Sequence, residues 1–398
     1  MTTPPDTLIN SPTSSSANLL IPNDDHPAMQ QLAQEVNQWG RDLGFQQVGI
    51  TDVDLGQHRE HLQTWLDNRY HGEMKWMETH QDLRNDPAQL VPDTVRIISA
   101  RMDYLPENTQ FIQILKKPEK AYISRYALGR DYHKLIRKRL ATLASKIEQR
   151  YTELATENGW PLTSISQRPF VDSAPVLEKA VAEKAGLGWI GKHTLVLNKD
   201  VGSWFFLGEV LTNIPLPINT VVAENKCGDC TACLTVCPTD AFVAPYTLDA
   251  TRCISYLTIE LKTSIPEEFR EPIGNRVFGC DDCQAICPWN KYAKHTEEKD
   301  FSPRHQLQDS DLTVLFSWTE EEYLKNTEGS AIRRIGYERW LRNLAIGLGN
   351  APKSQAIIDA LTERADYPSE MVQEHIRWAL TRQQDSRKSK RKIKRKNT

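Results

Sequence analysis

All eight cysteines of this 398-residue chain lie between Cys227 and Cys287. No other feature limits the possible folds so strongly. Long cysteine-free stretches flank this window on both sides, Met1–Lys226 before it and Pro288–Thr398 after it. A small disulfide scaffold is cysteine-rich throughout, so that class is excluded. Cysteines gathered this tightly in an otherwise ordinary chain indicate a metal site.

The first run is Cys227-Gly-Asp-Cys230-Thr-Ala-Cys233-Leu-Thr-Val-Cys237-Pro238. This is the ferredoxin spacing C-x2-C-x2-C-x3-C-P, whose fourth cysteine ligates a different cluster from the first three. The second run, Cys280-Asp-Asp-Cys283-Gln-Ala-Ile-Cys287-Pro288, repeats the last three cysteines of the first. Its missing member must be Cys253, the only cysteine left. The spacing therefore predicts two 4Fe–4S clusters. Cys227, Cys230, Cys233 and Cys287 hold one; Cys237, Cys253, Cys280 and Cys283 hold the other. Structural zinc is the competing reading, but zinc ribbons use separated pairs, often with histidine. Here the runs are overlapping triplets, both end in Cys-Pro, and no histidine lies in the window. Two adjacent clusters form an electron wire. A bare carrier needs far fewer residues, so the remaining mass should bind whatever is reduced.

With 39% hydrophobic and 25% charged residues the chain can bury a sizeable core, and its length suits roughly two or three domains. Residues 1–25 read as a disordered, Thr/Pro/Ser-rich extension. Residues 26–220 mix helices and strands into an α/β or α+β domain. A helix starts near His26, and Val48–Thr51 and Val95–Ala100 read as buried strands. Ile136, Leu140, Leu143, Ile147, Tyr151 and Leu154 share one face of a long helix over 133–158. A further helix is expected to be opened by Ser173 and Pro175 and closed at Gly186. Residues 221–304 form a ferredoxin-like insert. Residues 305–384 read as consecutive amphipathic helices in a HEAT-like stack. Residues 385–398 are a basic tail. No apolar run approaches the ~20 residues needed to span a bilayer, and no secretory signal is apparent, so a cytoplasmic location is expected.

Three further segments carry a family resemblance. They are Arg125-Tyr-Ala-Leu-Gly-Arg-Asp131-Tyr-His133, Arg168-Pro-Phe-Val-Asp172-Ser-Ala-Pro-Val-Leu-Glu178 running on to Gly188-Trp-Ile-Gly-Lys192-His193, and Arg252-Cys-Ile-Ser255-Tyr-Leu-Thr-Ile-Glu260. Together with the cysteine runs they resemble epoxyqueuosine reductase, from about Gln30 to Arg382. The resemblance implies a cobalamin-dependent reductase that converts epoxyqueuosine to queuosine at the wobble position of transfer RNA. It further implies an external low-potential electron donor and places cobalamin in the first domain. A monomer is expected. The D-x-H-x-x-G pattern that supplies a histidine to cobalt is absent, since Asp131-Tyr-His133 is followed by Ile136 where Gly belongs. Cobalamin should therefore lack a histidine lower ligand.

By resemblance Asp172 is the general acid that protonates the alkoxide left when the epoxide opens. Holding a proton at pH 7 would require its pKa to rise by ~3 units. Otherwise Asp172 simply caps the following helix. Gly191, Lys192, His193 and Ser255 are expected at the cofactor, with Asp172. For Gly191–His193 the plainer reading is a tight turn. His133 is equally a polar opener of the long helix or a functional group. Two other classes compete: a reductive dehalogenase-like cobalamin enzyme, and a two-cluster electron carrier with an RNA-binding appendage.

Transfer RNA must also be held. Arg333, Arg334, Arg339 and Arg342, interleaved with Tyr337 and Trp340, are the candidate phosphate contacts; a solvated helix face is the alternative. Between Arg387 and Lys396 lie eight Lys/Arg and no acid, leaving 41 basic against 52 acidic residues elsewhere. Such a tail either meets a polyanion or is a solvated end. Each phosphate neutralised contributes ~0.7–0.9 to the salt slope. Deleting Arg387–Thr398 is thus expected to weaken RNA binding and flatten its salt dependence without altering the chemistry; unchanged affinity at low salt would count against the tail.

Overall fold

The two segments read as buried strands, Val48–Thr51 and Val95–Ala100, are strands except at Val95, and they pair with each other. The computed structural model describes residues 24–107, 110–161, 164–219 and 221–384. The basic tail and nearly all of the N-terminal extension lie outside the described residues. Strands β1 (Gln47–Thr51), β2 (Arg96–Asp103), β3 (Gln167–Phe170) and β4 (Phe205–Thr212) form a sheet in the order β1-β2-β4-β3. Every neighbouring pair is antiparallel. This decides for α+β over α/β, because parallel strands would need a crossover at each step.

Helices cover both faces of the sheet. Helix α1 (Pro27–Asp42) and the long α2 (Tyr132–Asn158) bury Met29, Leu32, Val36, Ile136, Leu140 and Leu143 against Ile98, Ala100 and Val210. A Cβ on Gly208 would lie 2.8 Å from Leu140 Cδ1, so bare backbone at that point lets α2 close on β4. Helix α3 (Glu178–Lys184) lies on the other face, with Ala180 and Val181 against Ile97, Phe170 and Leu211.

Helix α3 begins later than expected. Asp172 has φ +56°, a left-handed conformation that breaks any helix there. Ser173 does not cap a helix; its hydroxyl turns back to the Val171 carbonyl. The segment up to Leu177 is irregular and carries Asp172 out over the sheet's edge.

Three helices close the described residues: α4 (Gly336–Asn350), α5 (Gln355–Glu363) and α6 (Glu370–Gln384). The sequence suggested that α4 begins at Ser330, but residues 331–335 form a 3-10 turn and α4 starts at Gly336, whose φ is +73°. Leu341, Leu344 and Leu348 of α4 pack on Val372, Ile376 and Ala379 of α6. The same core takes in Ile123, Leu128, Val277 and Phe278. Tyr122–Ile123 also pairs in parallel with Arg276–Phe278. The expected divisions at 220/221 and 304/305 are therefore crossed by one apolar cluster and one strand pair.

Helix α4 also grips the segment that carries Cys253. Residues 256–260 form a π-helical turn. Its wide winding leaves carbonyls without partners of their own. Arg342, wholly buried, donates to the carbonyls of Leu257, Leu261 and Thr263 at 2.8, 2.8 and 2.6 Å. Asn343 donates to Thr258 O and Val277 O, and Arg339 to Ile259 O. An apolar replacement would strand these carbonyls, at a cost of about 1–3 kcal/mol for each left unsatisfied. Arg342→Met is accordingly expected to destabilise the protein by roughly 2–5 kcal/mol, read as a lower urea midpoint at unchanged slope.

Candidate active site

Asp131 starts α2 by accepting the backbone N–H of His133, the N-cap role its side chain favours. The same carboxylate lies 2.6 Å from His133 Nδ1. The other ring nitrogen, Nε2, faces Asp172 Oδ2 at 3.1 Å. Tyr132 donates its hydroxyl to that Asp172 oxygen at 2.7 Å and stacks on Phe206. Arg334 lies beside the imidazole and donates to Asp131 at 2.7 Å. The irregular loop after β3 and the first turn of α2 thus set an aspartate, a tyrosine and a histidine into one chain of contacts. Both open readings of His133 hold in part: it opens the helix and it faces Asp172.

The charges follow from this geometry. Burial pushes the Asp172 carboxyl up, but hydrogen bonds from His133 and Tyr132 and the charges of His133 and Arg334 outweigh it and hold it below its ordinary value. The rise that protonation at neutral pH would need is thus not supplied by the protein's own groups. Burial pulls His133 down, yet its contacts with Asp131 and Asp172 prevail and hold it above its ordinary value. Asp131, despite burial, is brought to about 2 by His133 and Arg334. The raised carboxyl is Glu178, driven to about 8 by burial and by the charge of Asp172. Glu178 accepts the backbone N–H of Asp172 and pairs with the wholly buried Glu209.

Asp172 lines a cavity of about 410 Å³. Its side chain is 55% exposed because it faces this opening, so a ligand filling the cavity would dry it. The same cavity is lined by Cys237, Cys253, Cys280 and Cys283, together with Ser255. Cys227, Cys230, Cys233 and Cys287 surround a second cavity of about 250 Å³. The two quartets are those given by the spacing. Among the described residues no His, Cys, Asp or Glu group is spaced for a single ion; the thiols stand around open space. Burial and neighbouring thiols push Cys233 up to about 11. Thiolates at such density need cationic metal among them.

The Gly191–His193 turn divides between the two cavities. His193 lines both; its Nε2 is buried without a partner, and burial and Lys179 bring its pKa to about 4. Lys192 does not reach the larger cavity. Its ammonium donates to the carbonyls of Gly228 and Cys230, tying down the first cysteine loop. Gly191 lines neither cavity, and its N–H closes the turn onto Leu195 O. A Cβ there would meet Leu197.

The four arginines separate as well. Arg333 and Arg334 are exposed, Arg339 is half-buried on carbonyls, and Arg342 is fully buried. Arg342 is therefore no phosphate contact: Leu257, Leu261 and Thr263 occupy its donors. Sequence reasoning missed Tyr132, Lys179, Glu178 and Glu209 as cavity or network residues. Glu209 left a signal, a lone acid inside the apolar strand Phe205-Phe-Leu-Gly-Glu-Val-Leu.

Residues 226–290 match a family model described as a 4Fe-4S double cluster binding domain. Residues 84–173 match one described as epoxyqueuosine reductase QueG, DUF1730. A double-cluster segment packed against a cavity with ionisable walls defines an iron–sulfur oxidoreductase. Epoxyqueuosine reductase of Pseudomonas aeruginosa is 59% identical over 363 residues, covering 91% of this chain and 98% of its own. That of Escherichia coli is 57% identical over 360 residues, covering 90% and 91%. The chain belongs to the epoxyqueuosine reductase family, and the dehalogenase-like and bare-carrier readings fall away. Two solved structures are similar at TM-scores of 0.80 and 0.79. One is an epoxyqueuosine reductase with an epoxyqueuosine-modified tRNA-Tyr stem loop, at 27% identity over 90% of this chain and 91% of that one. The other is from Bacillus subtilis, with its catalytic aspartate loop swung out of the active site, at 26% identity and the same coverage. Among the described residues no helix is long and apolar enough to cross a membrane.

The His133 contacts have a pH signature. Because its folded pKa is raised, they contribute stability that is complete below the unfolded value of about 6.5 and is lost as pH rises through the folded one. Asp131→Asn is expected to lower the His133 pKa and shrink that contribution. An imidazole titration unmoved by the substitution, followed by NMR, would refute the network.

Proposed function

We propose that this protein reduces epoxyqueuosine to queuosine in transfer RNA, using cobalamin and two 4Fe–4S clusters. One observation carries the reading: Asp172, backed by His133, lines the same cavity as the four cysteines assigned to the second cluster. Removing an epoxide oxygen as water, leaving an alkene, consumes two electrons and two protons. The electrons would come through the clusters, one proton by way of Asp172, and the second from water at the departing oxygen.

The residues fit the absent groups. Cys227, Cys230, Cys233 and Cys287 would hold the cluster nearer the surface, since Cys230 is exposed. Cys237, Cys253, Cys280 and Cys283 would hold the one at the cavity. The macrocycle would occupy the cavity that this quartet shares with Asp172, with the Ser255 hydroxyl and the unpartnered His193 Nε2 as polar contacts. Cobalamin, when bound, supplies a strongly nucleophilic reduced cobalt centre.

The chain's own groups manage the proton delivered through Asp172. Asp172 is the acid that meets the substrate oxygen, and His133 holds the proton behind it. At rest the proton sits on the imidazole, between two carboxylates. Substrate entering the cavity dries Asp172 and raises its pKa, so the proton passes from His133 Nε2 to Asp172 Oδ2, which lie 3.1 Å apart, and on to the opening epoxide. A positioned acid of this kind contributes typically 10²–10⁴-fold. Tyr132 fixes the carboxylate that makes the delivery.

The remaining assignments complete the reading. Residues 26–220 form the cobalamin-binding unit, 221–304 the ferredoxin-like unit, and 305–384 a HEAT-like helical end. Arg333 and Arg334 at the rim, with the basic tail, meet the RNA backbone. Electrons come from an external low-potential donor to a cytoplasmic monomer. The decisive experiment is anaerobic reconstitution, metal analysis and assay on epoxyqueuosine-containing RNA. About eight irons and one cobalt per chain are expected, with turnover lost in Asp172→Asn. Colourless protein, zinc in place of iron, or full turnover by the Asn variant would each overturn the proposal.

A further inference from the structure

Glu178 and Glu209 take no part in the proton path above, yet they stand directly behind it. Glu178 opens α3 and accepts the backbone N–H of Asp172. Glu209, on β4, is wholly buried and meets Glu178 side chain to side chain. Ser99 Oγ on β2 approaches Glu209 Oε1 at 3.5 Å, while Glu209 Oε2 has no donor among the described groups. A buried carboxyl oxygen facing a second carboxyl is satisfied when a proton lies between them.

The loop they touch needs holding. Asp172 sits at φ +56°, and a left-handed conformation at a residue with a side chain costs roughly 1–3 kcal/mol. The segment 171–177 belongs to no helix or strand. In the Bacillus subtilis relative the catalytic aspartate loop is swung out of the active site; here Asp172 is turned in. Taking Asp172 as the acid, as proposed above, we infer that protonated Glu178, paired with Glu209, is a positioning residue that latches the Asp172 loop over the cavity.

The groups around Glu178 give the latch its sign. Asp172 faces it from the loop, Glu209 from β4 with Ser99 of β2 beyond, and His133 and Tyr132 from α2; Lys179 adjoins it on α3. Burial and then the Asp172 charge drive Glu178 to about 8, and that charge outweighs the N–H bond from the same residue. A loop that raises Glu178's affinity for a proton is, by linkage, drawn in by that proton. The latch holds below about 8 and lets go as pH rises through it.

The test is amide hydrogen exchange of residues 171–177 in the reconstituted protein without RNA, corrected for intrinsic rates and followed through pH 8. The wild-type loop should be protected below that pH and lose protection above it. Glu178→Gln keeps the acceptor and mimics the protonated acid, so its loop should stay protected throughout. Glu178→Ala should exchange roughly ten-fold faster at every pH, with iron content unchanged. In assays with RNA, Ala should lower kcat at constant KM, and Gln should restore kcat while removing the alkaline fall. A loop as protected in Ala as in wild type, or as open in Gln as in Ala, overturns the latch. Exchange behaving as expected in a protein inert toward epoxyqueuosine RNA would support the latch and fault the functional reading instead.

Discussion

Each quartet of cysteines is completed by a residue from elsewhere in the chain, and that crossing organises the molecule. Cys287 joins Cys227, Cys230 and Cys233, while Cys237 joins Cys253, Cys280 and Cys283. The two runs must therefore lie face to face, however the intervening loop is arranged. The second quartet is fastened to the sheet domain by Asp281, between two of its cysteines. That buried carboxylate accepts from Tyr122 at 2.7 Å, from Ser124, and from the backbone N–H of Arg125 at 2.8 Å. One quartet reaches the surface at Cys230 and the other borders the cavity. The covalent spacing thus sets one group of four thiols toward the surface and the other toward the cavity.

The wall of the cavity divides its carboxyls by environment. Asp172, bonded by Tyr132 and His133, is kept ionised; Glu178 and Glu209, buried against each other, are both held above their ordinary values, which favours a proton between them. Groups of one chemical type are thereby pushed apart in pKa, the arrangement that lets one site hold both a proton acceptor and a proton store. The division comes from which donors each carboxyl meets, because all of them lie within the same wall.

What could be read in advance was whatever depends on local spacing. Cysteine runs, the periodic apolar face of α2 and the Asp131-Tyr132-His133 cap all act over short stretches of chain. What could not be read depends on partners far along the sequence. Arg342 looks like its neighbours Arg333 and Arg334 in sequence, yet it is buried because carbonyls of residues 257–263 stand where its side chain ends. Lys192 turned away from the expected site because the Cys227–Cys230 loop offers it two carbonyls. The start of α3 was misplaced because a left-handed Asp172 is not signalled by composition. The raised pKa of Glu178 was not legible either, because Glu209 arrives from β4, a strand well beyond the end of α3.

The grip of α4 on the π-helical turn has a consequence for how the protein is made. Asn343 and Arg342 follow Cys287, the last of the cysteines, by several further turns and helices. At roughly 5–20 residues per second, a ribosome has released every thiol some seconds before it releases the side chains that shape the Cys253 segment. Until then the nascent chain carries eight unprotected sulfurs on an unfinished frame. The Cys253 segment can therefore take its final shape only after α4 has been made, so the thiols precede in synthesis the side chains that position them.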